Sequence, residues 1–149
     1  VYDSKWILPV AETLKNLGAH KALVFHSNDG LDEISSADKT LVAELNNGNI
    51  SEYEIDPKAF DVYQNNLEDL QINSPSDSLK LVQATLRNDD FLSGKNITAL
   101  NSAAVIYVSG QTNNFLQAFE IAMNVLESGK AQKKLDELIS FSRKFDEST

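Results

Sequence analysis

Apolar residues recur at Ile7, Val10, Leu14 and Leu17, the three-to-four spacing of a helix with one buried side. Asp3 stands ahead of them as an N-terminal cap, and Gly18 follows as a left-handed stop. Pro9 removes a backbone donor inside the pattern, which predicts a kink or a late helix start. Next comes "KALVFH", a short unbroken apolar run of the kind a strand shows when both its faces are covered by helices. "TLVAEL" and "ISEYEI" then flank "NNGN". Asn47-Gly48 predicts a two-residue type I′ hairpin, with Leu41, Ala43 and Leu45 sharing one face.

Residues 56–75 read as irregular, with a short turn at "PKAF". The rest of the chain carries helical stripes. Leu79, Val82 and Leu86 form one, and Ile97, Leu100, Ala104 and Val108 another. Phe115, Phe119, Ala122 and Leu126 form a third, and Ala131, Leu135, Leu138 and Phe145 the last. Gly94, Gly110 and Gly129 punctuate these helices, and the small residues Ser102, Ala103 and Ala104 predict close helix packing. The expected fold class is α/β: a small sheet with a β-hairpin, packed by helices, forming a single domain over residues 1–149.

Composition narrows the function classes. At 149 residues one core is sustained, and no apolar run is long enough to span a membrane. The absence of cysteine excludes disulfides and thiolate zinc sites and agrees with a cytoplasmic location. A net charge of −9 argues against nucleic acid as a partner, because neutralising phosphates takes a surplus of Lys and Arg. The sequons at Asn49 and Asn96 read as chance occurrences. The chain opens on Val1 and enters a helical pattern within three residues, so a piece of a longer protein is expected.

The chemistry concentrates in "VFHSNDGLDEIS", where Asp29, Asp32 and Glu33 gather around Gly30. On spacing alone they read first as a solvated turn with Gly30 at positive φ, and second as half of a metal site. Asp32 and Glu33 are adjacent hard oxygen donors, which suit Mg²⁺ when a phosphate completes the shell. The loop also follows a strand end, where open α/β sheets place ligand crevices. His26 ends that strand, either in an ordinary hydrogen bond or facing the crevice; His20, in a turn, carries no signal. Asn101 is polar within an apolar helix and bonds either the neighbouring backbone, the expected case, or a ligand. All six glycines are isolated, so no phosphate cradle is visible, and neither "HExxH" nor "GxSxG" occurs.

The string "LGAHKALVFHSNDGLDEIS", then "T" and "VAEL", then "LNSAAVIYVSG", resembles the anthranilate phosphoribosyltransferase family, in matching order from Val1 to about Lys133. "DGLDEIS" is the specific part. That family of glycosyltransferases joins anthranilate to phosphoribosyl pyrophosphate in tryptophan biosynthesis and releases pyrophosphate. The resemblance implies the C-terminal portion of a phosphoribosyltransferase/nucleoside-phosphorylase-like α/β domain. The family's N-terminal helical domain, "GTGGD" phosphate loop and "KHGN" segment are absent from this chain. By the same resemblance Asp32 and Glu33 bind Mg²⁺ beside the pyrophosphate, while Asp29 and Gly30 shape the turn. It further implies a parent enzyme that dimerises through the helical domain, and no activity from this chain alone. Two departures lie in loops: "SSADKT" replaces the usual "SLTGPT", and "INS" at 72–74 replaces a glycine pair. The rival families are pyrimidine nucleoside phosphorylases and non-catalytic relatives that bind nucleic acid; the Asp-Glu pair and the acidic charge oppose the second.

Overall fold

The computed structural model describes residues 1–146. Asp3 accepts a hydrogen bond from Lys5 N–H and caps one 3₁₀ turn, Ser4–Trp6, which runs into helix α1, Ile7–Asn16. Pro9 therefore falls in the first turn, where its missing N–H is one that no helix satisfies, and the late start replaces a kink. Gly18, at φ 86°, closes the helix: Ala19 N–H reaches back to Leu14 O (3.0 Å) and Gly18 N–H to Lys15 O (3.0 Å). Of the expected stripe, Ile7 is buried, Val10 and Leu14 are half-buried, and Leu17 is exposed because it sits on the C-cap.

Three antiparallel strands follow, in the order β1-β2-β3: β1 Lys21–Ser27, β2 Thr40–Asn46 and β3 Asn49–Ile55. Asn46 pairs with Asn49 across Asn47 (φ 48°) and Gly48 (φ 83°), the expected two-residue turn with positive φ at both positions. Helices cover both faces of the sheet. Val24 and Ala43, directly paired, pack with Ile7 and Ala11 of α1. Leu41 joins that face, and Leu45, in step with it, is fully buried. On the other side Leu23, Phe25 and Val42 meet the helical layer. β1 is nevertheless an edge strand, so most of its apolar run is only half-buried.

Residues 56–74 contain two single-turn 3₁₀ segments, Pro57–Phe60 and Glu68–Leu70. Helices α2 Pro75–Leu86, α3 Leu92–Val108, α4 Phe115–Glu127 and α5 Lys130–Asp146 complete the chain. The core helix is α3, whose Ala99, Leu100, Ala103 and Ala104 pack with Ala118, Phe119, Ala122 and Leu126 of α4. Small side chains on both partners allow the two axes to approach closely, as "SAA" predicts.

Three expectations change. Leu79 and Val82 of α2 are exposed, and Thr85 is the buried residue; apolar positions lie on two faces of this helix, so periodicity did not select one. Leu138 and Phe145 of α5 are exposed, since only its first turns, around Ala131 and Leu135, are half-buried. Gly94 does not break a helix but lies inside α3, where an added Cβ would run into the Phe91 ring and Thr85 Oγ1. The "NIT" asparagine, Asn96, is buried in α3, while Asn49 sits on the exposed hairpin.

Candidate functional site

The acidic loop leaves β1 through a turn that its own backbone closes. Gly30 N–H donates to Ser27 O (3.0 Å) and Ser27 N–H to Leu31 O (2.9 Å), with Gly30 at φ 93°. Asp29 belongs to that turn. Its Oδ1 accepts from Leu31 N–H (3.3 Å) and its Oδ2 from Ser35 Oγ (2.6 Å). Ser35 Oγ in turn accepts from Ala37 N–H (2.9 Å), and Thr40 Oγ1 from Ser35 N–H (3.2 Å). Within the "SSADKT" departure Ser35, Ser36 and Thr40, the last opening β2, are buried and hydrogen-bonded, while Asp38 and Lys39 are exposed.

Asp32 and Glu33 behave differently. Both side chains are exposed, and neither makes a hydrogen bond or ion pair among the described residues. Directly after them the chain turns inward at Ile34, which is fully buried in the main core. Ile34 is gripped from α3: its N–H donates to Asn101 Oδ1 (2.9 Å), and Asn101 Nδ2 donates to Ile34 O (2.9 Å) and Ile97 O (2.9 Å). Asn101 therefore bonds backbone, the expected alternative. His26 Nδ1 lies 2.9 Å from Val1 O, an ordinary hydrogen bond at the strand end.

Glu33 stands on the rim of two adjoining concavities against α3. One, about 430 Å³, is bordered by Ile97, Thr98, Ser102 and Val105. The other, about 590 Å³ and mostly apolar, lies between β1 and α3, with Leu23, Phe25, Ala104 and Val108 in its wall. An uncommitted carboxylate on the rim of an apolar cleft, Glu33, suits a ligand with a charged end and a flatter, apolar end.

Among the described residues no three His, Cys, Asp or Glu side chains gather as a metal site. Asp32 and Glu33 nonetheless fit Mg²⁺ in the way that ion is usually held, by one or two carboxylates with water and substrate phosphate supplying the other oxygens. On that count the two acids would supply only part of the shell, with phosphate and water supplying the rest.

Two part-buried polar networks had no clear sequence signal. Ser36 Oγ donates to Gln64 Oε1 (2.7 Å), Gln64 Nε2 to Ser93 Oγ (2.5 Å), and Ser93 Oγ to Asp69. These bonds pin the irregular segment to α3. Farther along, buried Glu44 accepts from Tyr107 OH (2.7 Å) and Tyr53 OH (3.0 Å). Burial, and then the Glu44 hydrogen bond, push the Tyr107 phenol up to about 12; burial and the Glu44 charge raise Tyr53 as well. Lys21, on the border of the larger cleft, donates to Tyr107 O (2.8 Å) and lies 3.5 Å from the centre of its ring.

The chain is similar to known proteins in sequence and in fold. The glycosyl transferase family, a/b domain, matches residues 1–132. The anthranilate phosphoribosyltransferase of Ruthia magnifica subsp. Calyptogena magnifica is 46% identical over 139 residues, covering 93% of this chain and 41% of that protein. Its counterpart in Marinomonas sp. (strain MWYL1) is 43% identical over 146 residues, covering 97% of this chain and 42% of that protein. The crystal structure of anthranilate phosphoribosyltransferase from Thermus thermophilus matches with a TM-score of 0.86 at 28% identity, over 96% of this chain and 42% of that one. The chain thus spans about two fifths of the length of these relatives. On the match of residues 1–132 to the α/β domain of the glycosyl transferase family, the chain belongs to that family.

Proposed function

We propose that this chain is the C-terminal part of an anthranilate phosphoribosyltransferase, the enzyme that transfers the phosphoribosyl group from phosphoribosyl pyrophosphate to the amine of anthranilate. The relatives that carry this activity by name support the assignment, and so does a Saccharomyces cerevisiae anthranilate phosphoribosyltransferase structure in complex with PRPP and Mg, which shares the fold with a TM-score of 0.79. The observation that carries it is the adjacent Asp32 and Glu33, both exposed and without protein partners, with Glu33 on the rim of a cleft.

In the proposed reaction the anthranilate nitrogen forms a bond to the anomeric carbon as the bond from that carbon to pyrophosphate breaks. Pyrophosphate leaves with the electron pair, and the amine gives up a proton. Mg²⁺, when bound, supplies charge stabilisation to the leaving group. Asp32 and Glu33 would hold the ion and so help orient the donor, while Asp29 and Ser35 keep the loop in shape. No covalent nucleophile is required. The phosphate loop, the anthranilate contacts and a homodimer interface belong in this proposal to the helical domain and the upstream half of the α/β domain. The chain's portion of the enzyme works in the cytoplasm on small molecules.

The test is turnover by the complete enzyme. Pyrophosphate released from phosphoribosyl pyrophosphate only when anthranilate is present supports the assignment. Phosphorolysis of a pyrimidine nucleoside without anthranilate turnover overturns it, as does DNA binding with a steep salt dependence and no catalysis.

A further inference from the structure

We propose that Asn101 is a positioning residue for the carboxylate pair: it sets the direction in which Asp32 and Glu33 face the Mg²⁺–pyrophosphate group. The inference rests on the reading of those two acids as the metal half-site. Asn101 and Ile34 are 67 positions apart, yet one side-chain amide engages both polar groups of the Ile34 backbone, each at 2.9 Å. A two-point grip of that kind fixes the rotation of the Ile34 peptide units, and Glu33 is the residue joined to Ile34 N. The third bond, Asn101 Nδ2 to Ile97 O, uses the remaining amide hydrogen and locks the amide itself, so its oxygen and nitrogen are not interchangeable.

Other features single this contact out. Among the described residues, every direct hydrogen bond between residues 28–35 and α3 comes from Asn101. Buried Ile34 tethers the loop after the acids, and the Leu31 backbone bonds to Ser27 and Asp29 tether it before them, while the Asp32 and Glu33 side chains have no protein partner. Asn101 and Glu33 also border the same two concavities. Partners that orient metal-binding side chains typically change metal affinity by about 10–100-fold when removed.

The test uses the complete enzyme and two variants. Asn101→Ala deletes the grip, and Asn101→Asp keeps its size but turns an oxygen toward the Ile34 and Ile97 carbonyls. Mg²⁺ is titrated calorimetrically with pyrophosphate present and anthranilate absent, a readout independent of turnover. Both variants are expected to bind Mg²⁺ at least about tenfold more weakly, with the KM for anthranilate unchanged. Leu126→Ala, in the α3–α4 core, is the control: it should lower the melting temperature and leave Mg²⁺ affinity alone. Asn101→Ser, which keeps one hydrogen-bonding group, serves if the harsher changes prevent folding and should be intermediate. Adding Asn101→Ala to Asp32→Asn/Glu33→Gln should weaken Mg²⁺ no further. If the double acid variant loses Mg²⁺ while the Asn101 variants merely melt earlier, Asn101 is structural only and this inference fails by itself. If the double acid variant binds Mg²⁺ normally, the underlying site assignment fails too.

Discussion

Ser35 Oγ donates a 2.6 Å hydrogen bond to Asp29 Oδ2, and that bond separates the three acids of the loop by role. Asp29 is committed to the turn through both carboxylate oxygens, whereas Asp32 and Glu33, a few residues on, hold no protein group. Asp29→Ala should lower stability by about 1–3 kcal/mol, because Leu31 N–H and Ser35 Oγ both lose an acceptor. Asp29→Asn should be milder, since Asn also serves turns. Chemical denaturation checks this; unchanged stability together with lost Mg²⁺ binding would make Asp29 a ligand instead.

The 149-residue chain by itself should fold but not catalyse. Its two clusters of buried residues are built on both sides of one sheet, yet on the proposed reading it would supply only part of the metal shell, and its sequence shows no phosphate loop. Mg²⁺ gives up its water reluctantly, so two adjacent carboxylates without a phosphate should bind it weakly. Calorimetry on the isolated chain is expected to show no tight stoichiometric site. Tight binding, or normal anthranilate turnover, would contradict the half-site description.

Alkaline pH should destabilise the domain through Tyr107 and Tyr53. Both phenols are raised in the folded state, Tyr107 to about 12, by burial and by Glu44. The folded form keeps protons that the unfolded chain releases from about pH 10, so stability is full below that value and falls as pH rises toward the folded pKa. Tyr107→Phe should flatten this decline between about pH 10 and 12. It should also lower stability at neutral pH, because buried Glu44 loses one of its two tyrosine donors. Denaturation midpoints against pH, with phenolate absorbance followed in parallel, measure both effects.

Gly94→Ala sets two effects of opposite sign against each other. In an open helix the change gains up to about 1 kcal/mol. Here the new methyl meets the Phe91 ring and Thr85 Oγ1, and overpacking of this sort costs about 1–3 kcal/mol. A lower melting temperature is expected. A higher one would mean that α2 and α3 are not in close contact at this point.

Features governed by local rules were legible in the sequence. Asn47-Gly48 announces its turn because few other residues tolerate positive φ at both positions, and in α4 the stripe of Phe119, Ala122 and Leu126 is the buried one, although Leu116, Ile121 and Val125 lie exposed on the same helix. Helices α2 and α5 carry more apolar residues than their neighbours cover, so periodicity alone misplaced Leu79, Val82, Leu138 and Phe145. Gly94 read as a breaker because its reason is a contact with Thr85 on another helix. The acidic loop was visible as a cluster, but spacing did not divide Asp29 from Asp32 and Glu33; the resemblance assigned them, and the Ser35 bond gives a physical basis for the division. That Asn101 grips Ile34 could not be read, since the partner lies 67 positions away.

The most direct measurement of the central claim is the Mg²⁺ dependence of turnover in the complete enzyme and in its Asp32→Asn/Glu33→Gln variant. The substitutions keep size and hydrogen-bonding capacity but remove the charges that would hold the cation. Turnover is expected to fall by at least about 10²-fold, the scale of losing one electrostatic stabiliser, with the response to Mg²⁺ displaced to higher concentration. Stability should change by no more than about 0.5 kcal/mol, because both side chains are exposed and have no protein partners. Parallel Mg²⁺ responses in parent and variant, with the variant merely melting earlier, would show that the pair is structural and the proposed site is wrong.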